Sequence, residues 1–184
     1  MRHARTHRRG RGFTLVEAVA TMTVLAVVSI AASRIIFAAA DAYIGAASSS
    51  HLSSEASAAM ERIASELRGV PSRAGSPGTP WIDSVTATSV AWGGTTSLAR
   101  SGSVVMLTID GGTPRTLLSN VTGFSIACYD QNGQAMAQAL SGAACDAVRR
   151  IEITLTLSRS GASETLRTRI FPRAALAGVA GGAP

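Results

Sequence analysis

The side chain with the most unusual chemical setting in this sequence is the carboxylate of Glu17. It lies in RRGRGFTLVEAV, residues 8–19, where a cluster of arginines is joined to a long apolar segment. An ionised carboxylate in the hydrocarbon of a membrane costs at least a few kcal/mol, so such a residue is a candidate functional residue by default. The sequence therefore raises the question of what role this carboxylate has.

The apolar segment after the arginines is long enough to cross a membrane. Residues 13–33 contain one ionisable side chain among 21. At about 1.5 Å per residue, a helix of this length spans roughly 30 Å of hydrocarbon. The segment is too long for the apolar region of an ordinary signal peptide, and Arg34 ends it on the far side.

The basic character of the chain is confined to its first twelve residues. The formal net charge is +6, and five arginines precede Phe13 without any acid among them, whereas residues 13–184 carry twelve arginines and eleven acids. Arginines immediately before an apolar segment keep that end in the cytoplasm and direct the rest of the chain outward. We therefore expect a membrane protein and no nucleic-acid partner.

The helical pattern continues beyond the membrane-length segment. Apolar residues recur at spacings of three and four, which predicts one buried face; they are Leu52, Ala56, Met60, Ile63 and Leu67. Gly69 and Pro71 then end the helix. Residues 13–68 are thus predicted to form one nearly continuous helix, with a weak point at Gly45–Ser50, where glycine and serine lower helix propensity.

The second half of the chain has the alternating pattern of strands. Residues 69–80 are predicted to be a loop, and short strands are predicted at 84–92, 96–99, 103–109, 115–118, 124–129, 150–158 and 164–171. Glycine-containing turns separate them. Burying the apolar face of the helix against the sheet predicts an α+β fold: a long N-terminal helix, first membrane-spanning and then amphipathic, packed on a C-terminal antiparallel β-sheet.

The residues around Glu17 resemble the N-terminal signal of type IV pilins and type II secretion pseudopilins: an arginine-rich leader, Gly12, FTLVE and an apolar helix. The resemblance implies that a membrane aspartyl peptidase cuts between Gly12 and Phe13, and that the new Phe13 amine is methylated. It also implies that Glu17 pairs with the Phe13 amine of a neighbouring subunit. Burying a carboxylate and an amine together offsets much of the cost of burying either alone.

A second resemblance concerns ASAAMERIASELRGV, VTGFSIACYDQNG and VRRIEITLTLSRSGASETLRTRIFPR. These stretches are similar to the J-type minor pseudopilins of type II secretion. The implied function is structural, at or near the tip of a pseudopilus that drives protein export across the outer membrane. The alternative is a minor pilin of a type IV pilus, acting in assembly priming, adhesion or DNA uptake.

The two resemblances together imply an organisation, a location and partners. The expected segments are a cleaved basic leader (1–12), a transmembrane and assembly helix (13–34), its amphipathic continuation (35–69), a globular β-sheet region (70–173) and a disordered tail (174–184). The chain is expected to be a single-pass protein of the inner membrane with its C-terminal domain in the periplasm, and then part of a pseudopilus. The implied partners are the prepilin peptidase, the inner-membrane assembly platform, I- and K-type minor pseudopilins and the major pseudopilin.

The two cysteines, Cys128 and Cys145, lie on the exported side in this topology. An even cysteine count in an exported domain favours a disulfide between them. Their long spacing, with no histidine after residue 51, argues against a metal pair.

The remaining candidate residues do not form a catalytic or metal-binding pattern. His3, His7 and His51 are scattered, no nucleophile elbow is present, and no enzyme activity, metal or cofactor is expected.

Residues 130–133, DQNG, resemble the start of a calcium loop but lack its later glutamate, which favours a turn. Six arginines gather near the C-terminal hairpin: Arg149, Arg150, Arg159, Arg167, Arg169 and Arg173. They suit a solvated face or a protein contact better than a DNA-binding stripe.

Overall fold

The computed structural model describes residues 14–159 and 161–177. It confirms the predicted fold class, with a long N-terminal helix followed by antiparallel β-sheets. The chain divides into two compact units, one ending at Gly45 and the other beginning at Ala46. The first helix, α1 (Leu15–Arg68), contributes to both.

The part of α1 in the first unit has an exposed, apolar surface. Its large apolar side chains, from Leu15 to Ile44, are each more than half exposed. The hydroxyls of Thr21, Thr23 and Ser33 are bonded to carbonyls of their own helix, at 2.8–2.9 Å. Because these polar groups are satisfied within the helix, they do not oppose burial of its surface in an apolar environment.

The part of α1 in the second unit is amphipathic, as the residue spacing predicted. Seven of its side chains are buried: Leu52, Ala56, Ala59, Met60, Ile63, Ala64 and Leu67. The helix ends where Gly69 N–H donates to the carbonyls of Ser65 and Glu66. These last bonds satisfy carbonyls that an α-helix otherwise leaves without partners at its C-terminus.

Within the described residues, the second unit contains three antiparallel sheets. The strands are β1 (Ser72–Arg73), β2 (Ser76–Pro80), β3 (Ile82–Val85), β4 (Ser89–Trp92), β5 (Thr96–Ser101), β6 (Val104–Thr108), β7 (Arg115–Leu118), β8 (Val121–Tyr129), β9 (Leu140–Ser141), β10 (Arg150–Arg159) and β11 (Ala162–Ile170). β1 pairs with β2, a three-stranded sheet has the order β11-β10-β8, and a six-stranded sheet has the order β7-β6-β5-β4-β3-β9. Side chains of α1 and of the two larger sheets form one apolar core.

The middle strand of the three-stranded sheet shows most directly how the sequence pattern builds this core. On β10, Ile151, Ile153, Leu155 and Leu157 are almost fully buried, as their alternation predicted. The opposite face of the same sheet carries polar residues. There Gly123 of β8 lies so close to Thr156 of β10 that a Cβ atom at position 123 would be 3.0 Å from the threonine Cβ.

Several predicted strand and loop boundaries were wrong, for local reasons. Residues 84–92 do not form one strand, because the Thr86 hydroxyl accepts the N–H groups of Thr88 and Ser89 and turns the chain between β3 and β4. The predicted loop at 69–80 contains β1 and β2, which turn at Gly75, where φ is +75°. β9 and the following 3₁₀-helix, Gly142–Ala147, were not predicted.

The tail predicted to be disordered from residue 174 begins instead with a short helix, α2 (Arg173–Ala177). Ala174 and Ala175 are buried, and α2 lies against β2. Alanine has the highest helix propensity and needs little space. This stretch can therefore form a helix although its apolar residues show neither helical nor strand spacing. Residues 178–184 of the expected tail lie outside the described residues.

The close approach at Gly123 gives a test of the packing between β8 and β10. We expect Gly123→Ala to lower the free energy of unfolding by about 1–3 kcal/mol, because the added methyl group forces two paired strands apart. Denaturation of the detergent-solubilised protein, followed by Trp81 and Trp92 fluorescence, measures the change. Ser125→Ala, exposed two residues along the same strand, is the control and should stay within about 0.5 kcal/mol of the parent. Equal stability of the two variants would contradict the close contact.

Candidate assembly site

The candidate site at the start of α1 is built around Thr14 and Glu17. The Thr14 hydroxyl accepts the N–H of Glu17 at 3.3 Å, which caps the first turn of the helix. The spacing Thr-x-x-Glu is that of a capping box, and an acidic residue in the first turn also interacts favourably with the helix dipole. Glu17 therefore has a local role in starting the helix, besides any role between subunits.

The Glu17 side chain is exposed and lies among apolar neighbours on its own helix. It forms no ion pair with any residue in the described part of the chain. Gly12 and Phe13, where the sequence analysis places the cut and the methylated amine, lie outside the described residues. Among the processing and assembly residues predicted from the sequence, the structure thus places Glu17 alone.

The length and composition of α1 agree with the prediction that its first part can cross a membrane. Within the described ranges, this is the helix long and apolar enough to cross a membrane, and its most apolar stretch is not buried. An apolar helix surface left open in this way is stable only when lipid or another protein covers it.

A second polar cluster lies on the outer face of the three-stranded sheet. Glu152 of β10 is only 6% exposed. Its Oε2 accepts the Arg169 Nε at 2.7 Å, and its Oε1 accepts the Arg167 Nη2. The Tyr129 hydroxyl donates to the same Oε1 at 3.4 Å, and the Arg150 guanidinium lies 4.3 Å from the centre of the Tyr129 ring. We call these five residues the Glu152 cluster.

Strand register explains why these residues meet. Glu152 is directly opposite Arg169 on β11, and its neighbour Thr154 is opposite Arg167. On one face of an antiparallel pair, opposite and diagonal residues are close enough to interact. The alternation of residues in β10 was visible in the sequence, but the alignment of β10 with β11 was needed to identify the partners of Glu152.

Two opposing effects act on the Glu152 carboxylate. Burial raises its pKa, whereas the hydrogen bonds and positive charges of Arg169 and Arg167 lower it, and the net pKa lies below the ordinary value of 4.5. The arginines in this region therefore do not form one free basic stripe. Arg149 donates to the carbonyls of Asp146 and Val148, so it too has a structural role.

The expected disulfide between Cys128 and Cys145 is wrong. Both thiols are free and buried, and they do not lie at disulfide distance. Cys128 belongs to β8, whereas Cys145 lies in the 3₁₀-helix with its Sγ 3.7 Å from the Asp83 carbonyl oxygen. Burial, aided by the charge of the Cys145 thiolate, raises the pKa of Cys128 to about 12, and burial also raises the pKa of Cys145. Both groups are small core residues in the protonated state.

The DQNG stretch forms a turn. The Asp130 Oδ1 accepts the N–H groups of Asn132 and Gln134, at 2.9 and 2.8 Å, and Gly133 has a φ of +76°. A carboxylate that stabilises two backbone N–H groups in this way is acting as a turn residue. The geometry favours the turn over the calcium loop.

The second unit also has a surface groove of about 520 Å³ between α1 and the end of the β6–β7 hairpin. Leu107, Ile109 and Leu117 contribute apolar side chains, while Arg62 and Arg115 contribute charge. Arg62 is paired with Glu66 at 2.6 Å. Thr113 and Thr116 also line the groove, and among the described residues no carboxylate, histidine or cysteine does.

Comparison with protein families identifies the N-terminal signal. Residues 7–33 match the family described as the prokaryotic N-terminal methylation motif. Comparison with curated proteins and with solved structures gave no match. The chain therefore carries a prepilin-type signal, which confirms the resemblance drawn from RRGRGFTLVEAV.

The motif supports a general class of protein. A prepilin-type signal followed, within the described residues, by one apolar helix supports a pilin-like protein with a membrane anchor. It implies processing by a prepilin peptidase and assembly with other pilin-like subunits into a filament. Pilin-like proteins of this kind are structural.

The Glu152 cluster leads to a prediction about pH. Because the pKa of Glu152 is lower in the folded state, its stabilising effect is fully present above the unfolded-state pKa and is lost as the pH falls through the folded-state value. We expect Glu152→Gln to lower the free energy of unfolding by about 1–3 kcal/mol at pH 7 and to remove part of the acid sensitivity below about pH 4.5. Denaturation curves at a series of pH values measure both effects.

Glu164→Gln, on the neighbouring strand, is the matched control, since Glu164 has no ion pair within the described residues. If both substitutions change the pH profile equally, the Glu152 cluster does not stabilise the sheet as described.

Proposed function

We propose that this protein is a minor pseudopilin: a structural, non-enzymatic subunit at or near the tip of a type II secretion pseudopilus that drives protein export across the outer membrane. The observation that carries the proposal is the prepilin motif at residues 7–33, continued by an apolar helix and an α+β unit. The sequence resemblance of residues 56–70, 121–133 and 148–173 to J-type minor pseudopilins supports the particular assignment.

The size of the strand-rich region also favours a minor subunit. A six-stranded sheet accompanies the three-stranded sheet that packs with α1 in the common core. A major pilin or major pseudopilin is expected to have fewer strands in this region. The alternative is a minor pilin of a type IV pilus, acting in assembly priming, adhesion or DNA uptake, because such proteins share the same signal and helix.

In this proposal the N-terminal residues act in a fixed order. The arginines hold the leader in the cytoplasm, the peptidase cuts between Gly12 and Phe13, and the Phe13 amine is methylated. Glycine suits the position before the cut because its backbone can enter a narrow cleft without a side chain. The membrane-embedded chain then has a cationic amine four residues before the exposed carboxylate of Glu17.

The proposed role of Glu17 is to accept the Phe13 amine of a neighbouring subunit as the chain leaves the bilayer. In an apolar environment, an unpaired amine and an unpaired carboxylate are each costly, and their attraction is only weakly screened. The ion pair therefore favours one axial register between neighbouring subunits. The alternative, a carboxylate that extends to the membrane surface, requires no neighbour.

The proposed partners follow from the assignment. They are the prepilin peptidase, the assembly platform of the inner membrane, I- and K-type minor pseudopilins and the major pseudopilin. The C-terminal unit, beginning at Ala46, would lie in the periplasm before incorporation into the filament. Nucleic acid is not an expected partner, because Glu152 engages Arg167 and Arg169 of the arginine-rich hairpin.

Leader removal is tested at the residue before the cut. We expect Gly12→Val to retain the leader, because the branched side chain is excluded from the peptidase cleft. Intact-mass measurement of the membrane-extracted protein distinguishes the retained leader from the shorter, methylated product. Gly10→Val, two residues earlier, is the matched control and should still be cut. A Gly12→Val chain processed as well as its control would contradict the assigned site.

Assembly is tested at Glu17. We expect Glu17→Ala and Glu17→Gln to be cut normally but recovered in the filament fraction at least about tenfold less, because removing one partner of a buried pair costs about 3–5 kcal/mol and 1.4 kcal/mol already changes an equilibrium tenfold. Quantitative immunoblotting of sheared filaments and membranes provides the measurement. Glu61→Gln, an exposed carboxylate elsewhere on α1, is the control. Normal incorporation of Glu17→Gln would favour the surface-extended carboxylate.

A further inference from the structure

The surface groove of the second unit begins where the apolar face of β6 leaves the core. Residues two apart on a strand point to the same face. Along this face Val105 is fully buried and Leu107 is 7% exposed, whereas Ile109, just past the end of β6, is 40% exposed. Leu107 and Ile109 both line the groove. The groove therefore has an apolar side that the described part of the chain does not cover completely.

Hydrogen bonds of the turn after Ile109 hold this side of the groove in place. The Asp110 N–H donates to the Thr96 hydroxyl at 3.3 Å, and the Gly111 N–H donates to the Thr95 carbonyl at 2.9 Å. The turn is thus bonded to the start of β5. Because the groove is fixed by bonds within its own unit, a partner does not have to order it on binding.

Among the described residues, the charged side chains that line the groove are two arginines. Arg62 of α1 is paired with Glu66, which lies outside the lining, at 2.6 Å. Arg115, at the start of β7, is exposed and has no ion pair within the described residues. Asp110 belongs to the nearby turn but does not line the groove. An occupant that brings a carboxylate to Arg115 is therefore complementary in charge.

The strand beside the groove is unsuited to backbone pairing with a partner. β7 is an outer strand of the six-stranded sheet and has four residues. Pro114 precedes it, Arg115 begins it, and its register with β6 shifts between Val105 and Met106. Short, charged and irregular edge strands resist the addition of another strand. An occupant must therefore be held by its side chains.

We propose that this groove receives a segment of a partner pilin-like subunit in which a carboxylate is flanked by apolar side chains. The apolar side chains cover Ile109 and Leu117, and the carboxylate pairs with Arg115. A volume of about 520 Å³ suits a few side chains rather than a folded element. The inference rests on the proposed function and deepens it, since it assigns a partner-binding surface to the C-terminal unit.

The kind of partner follows from the setting of the groove. An exposed apolar patch with a polar rim is typical of a protein contact. The prepilin motif implies that this chain assembles with other pilin-like subunits. Arg62 places α1 in one wall, so an occupant also contacts the helix that both units share.

Site-specific photo-cross-linking in cells that assemble the filament tests the contact. The full chain carries benzoylphenylalanine in place of Thr113 at the groove, and mass spectrometry identifies the linked peptide. We expect products with chains that carry a prepilin motif, through peptides in which Asp or Glu lies beside apolar residues. The same photoreactive residue in place of Ser125, exposed on the three-stranded sheet, is the positional control and should yield several-fold less of these products.

Charge reversal tests whether Arg115 selects the carboxylate. Arg115→Glu should lower the yield of the cross-link by about fivefold or more, because like charges then meet in the contact. Arg68→Glu, at an exposed arginine of α1 outside the groove, is the matched control and should leave the yield within about twofold. Replacing the linked carboxylate of the partner by arginine should restore the yield with Arg115→Glu, a recovery that a misfolded variant would not show.

The remaining outcomes separate this inference from the proposed function. If the chain is cut and enters filaments but the groove links to no pilin-like chain, or to an exported protein alone, the proposed contact is refuted while the proposed function stands. Equal effects of Arg115→Glu and Arg68→Glu would refute the role of Arg115. A parent chain that keeps its leader and never enters filaments overturns the proposed function instead, whatever the groove binds.

Discussion

The structure depends on one constraint: α1 has an apolar surface that its own chain covers only in part. From Leu52 to Leu67, one face of the helix is buried in the core of the second unit. From Leu15 to Ile44, its large apolar side chains are exposed. The first surface is covered by folding, whereas the second requires lipid or other subunits. A single helix therefore carries both a surface buried in the folded unit and an exposed apolar surface.

In the folded unit, a buried charge is likewise covered and paired by other residues of the same chain. The Glu152 carboxylate is almost fully buried, but Arg167, Arg169 and Tyr129 satisfy its oxygens. On the exposed part of α1, Glu17, Arg34 and Asp41 have no such partners within the described residues. One set of charges is thus neutralised by folding, and the other remains available for neutralisation by assembly. This contrast supports the proposed assembly role of Glu17.

Sequence reasoning was reliable where structure follows from local spacing. The length of α1 and the alternating residues of β10 were predicted because each is a repeated pattern within one element. The turn at Thr86, the pairing of β9 with β3 and the burial of Glu152 depend on hydrogen bonds or strand partners that a single segment does not reveal. The cysteine prediction was wrong for a related reason, since an even count says nothing about how distant elements place two thiols. The prepilin motif at the N-terminus is a local pattern of residues, so the sequence alone reveals it.

In the proposed function, this chain is processed at its motif and then assembled through the exposed surface of α1. The most direct test is the N-terminus of the parent chain recovered from the filament fraction of cells that produce it, read by mass spectrometry. We expect a chain that begins at Phe13 with a methylated amine. A filament-associated chain that begins at any other residue, or that retains the arginine-rich leader, would contradict it.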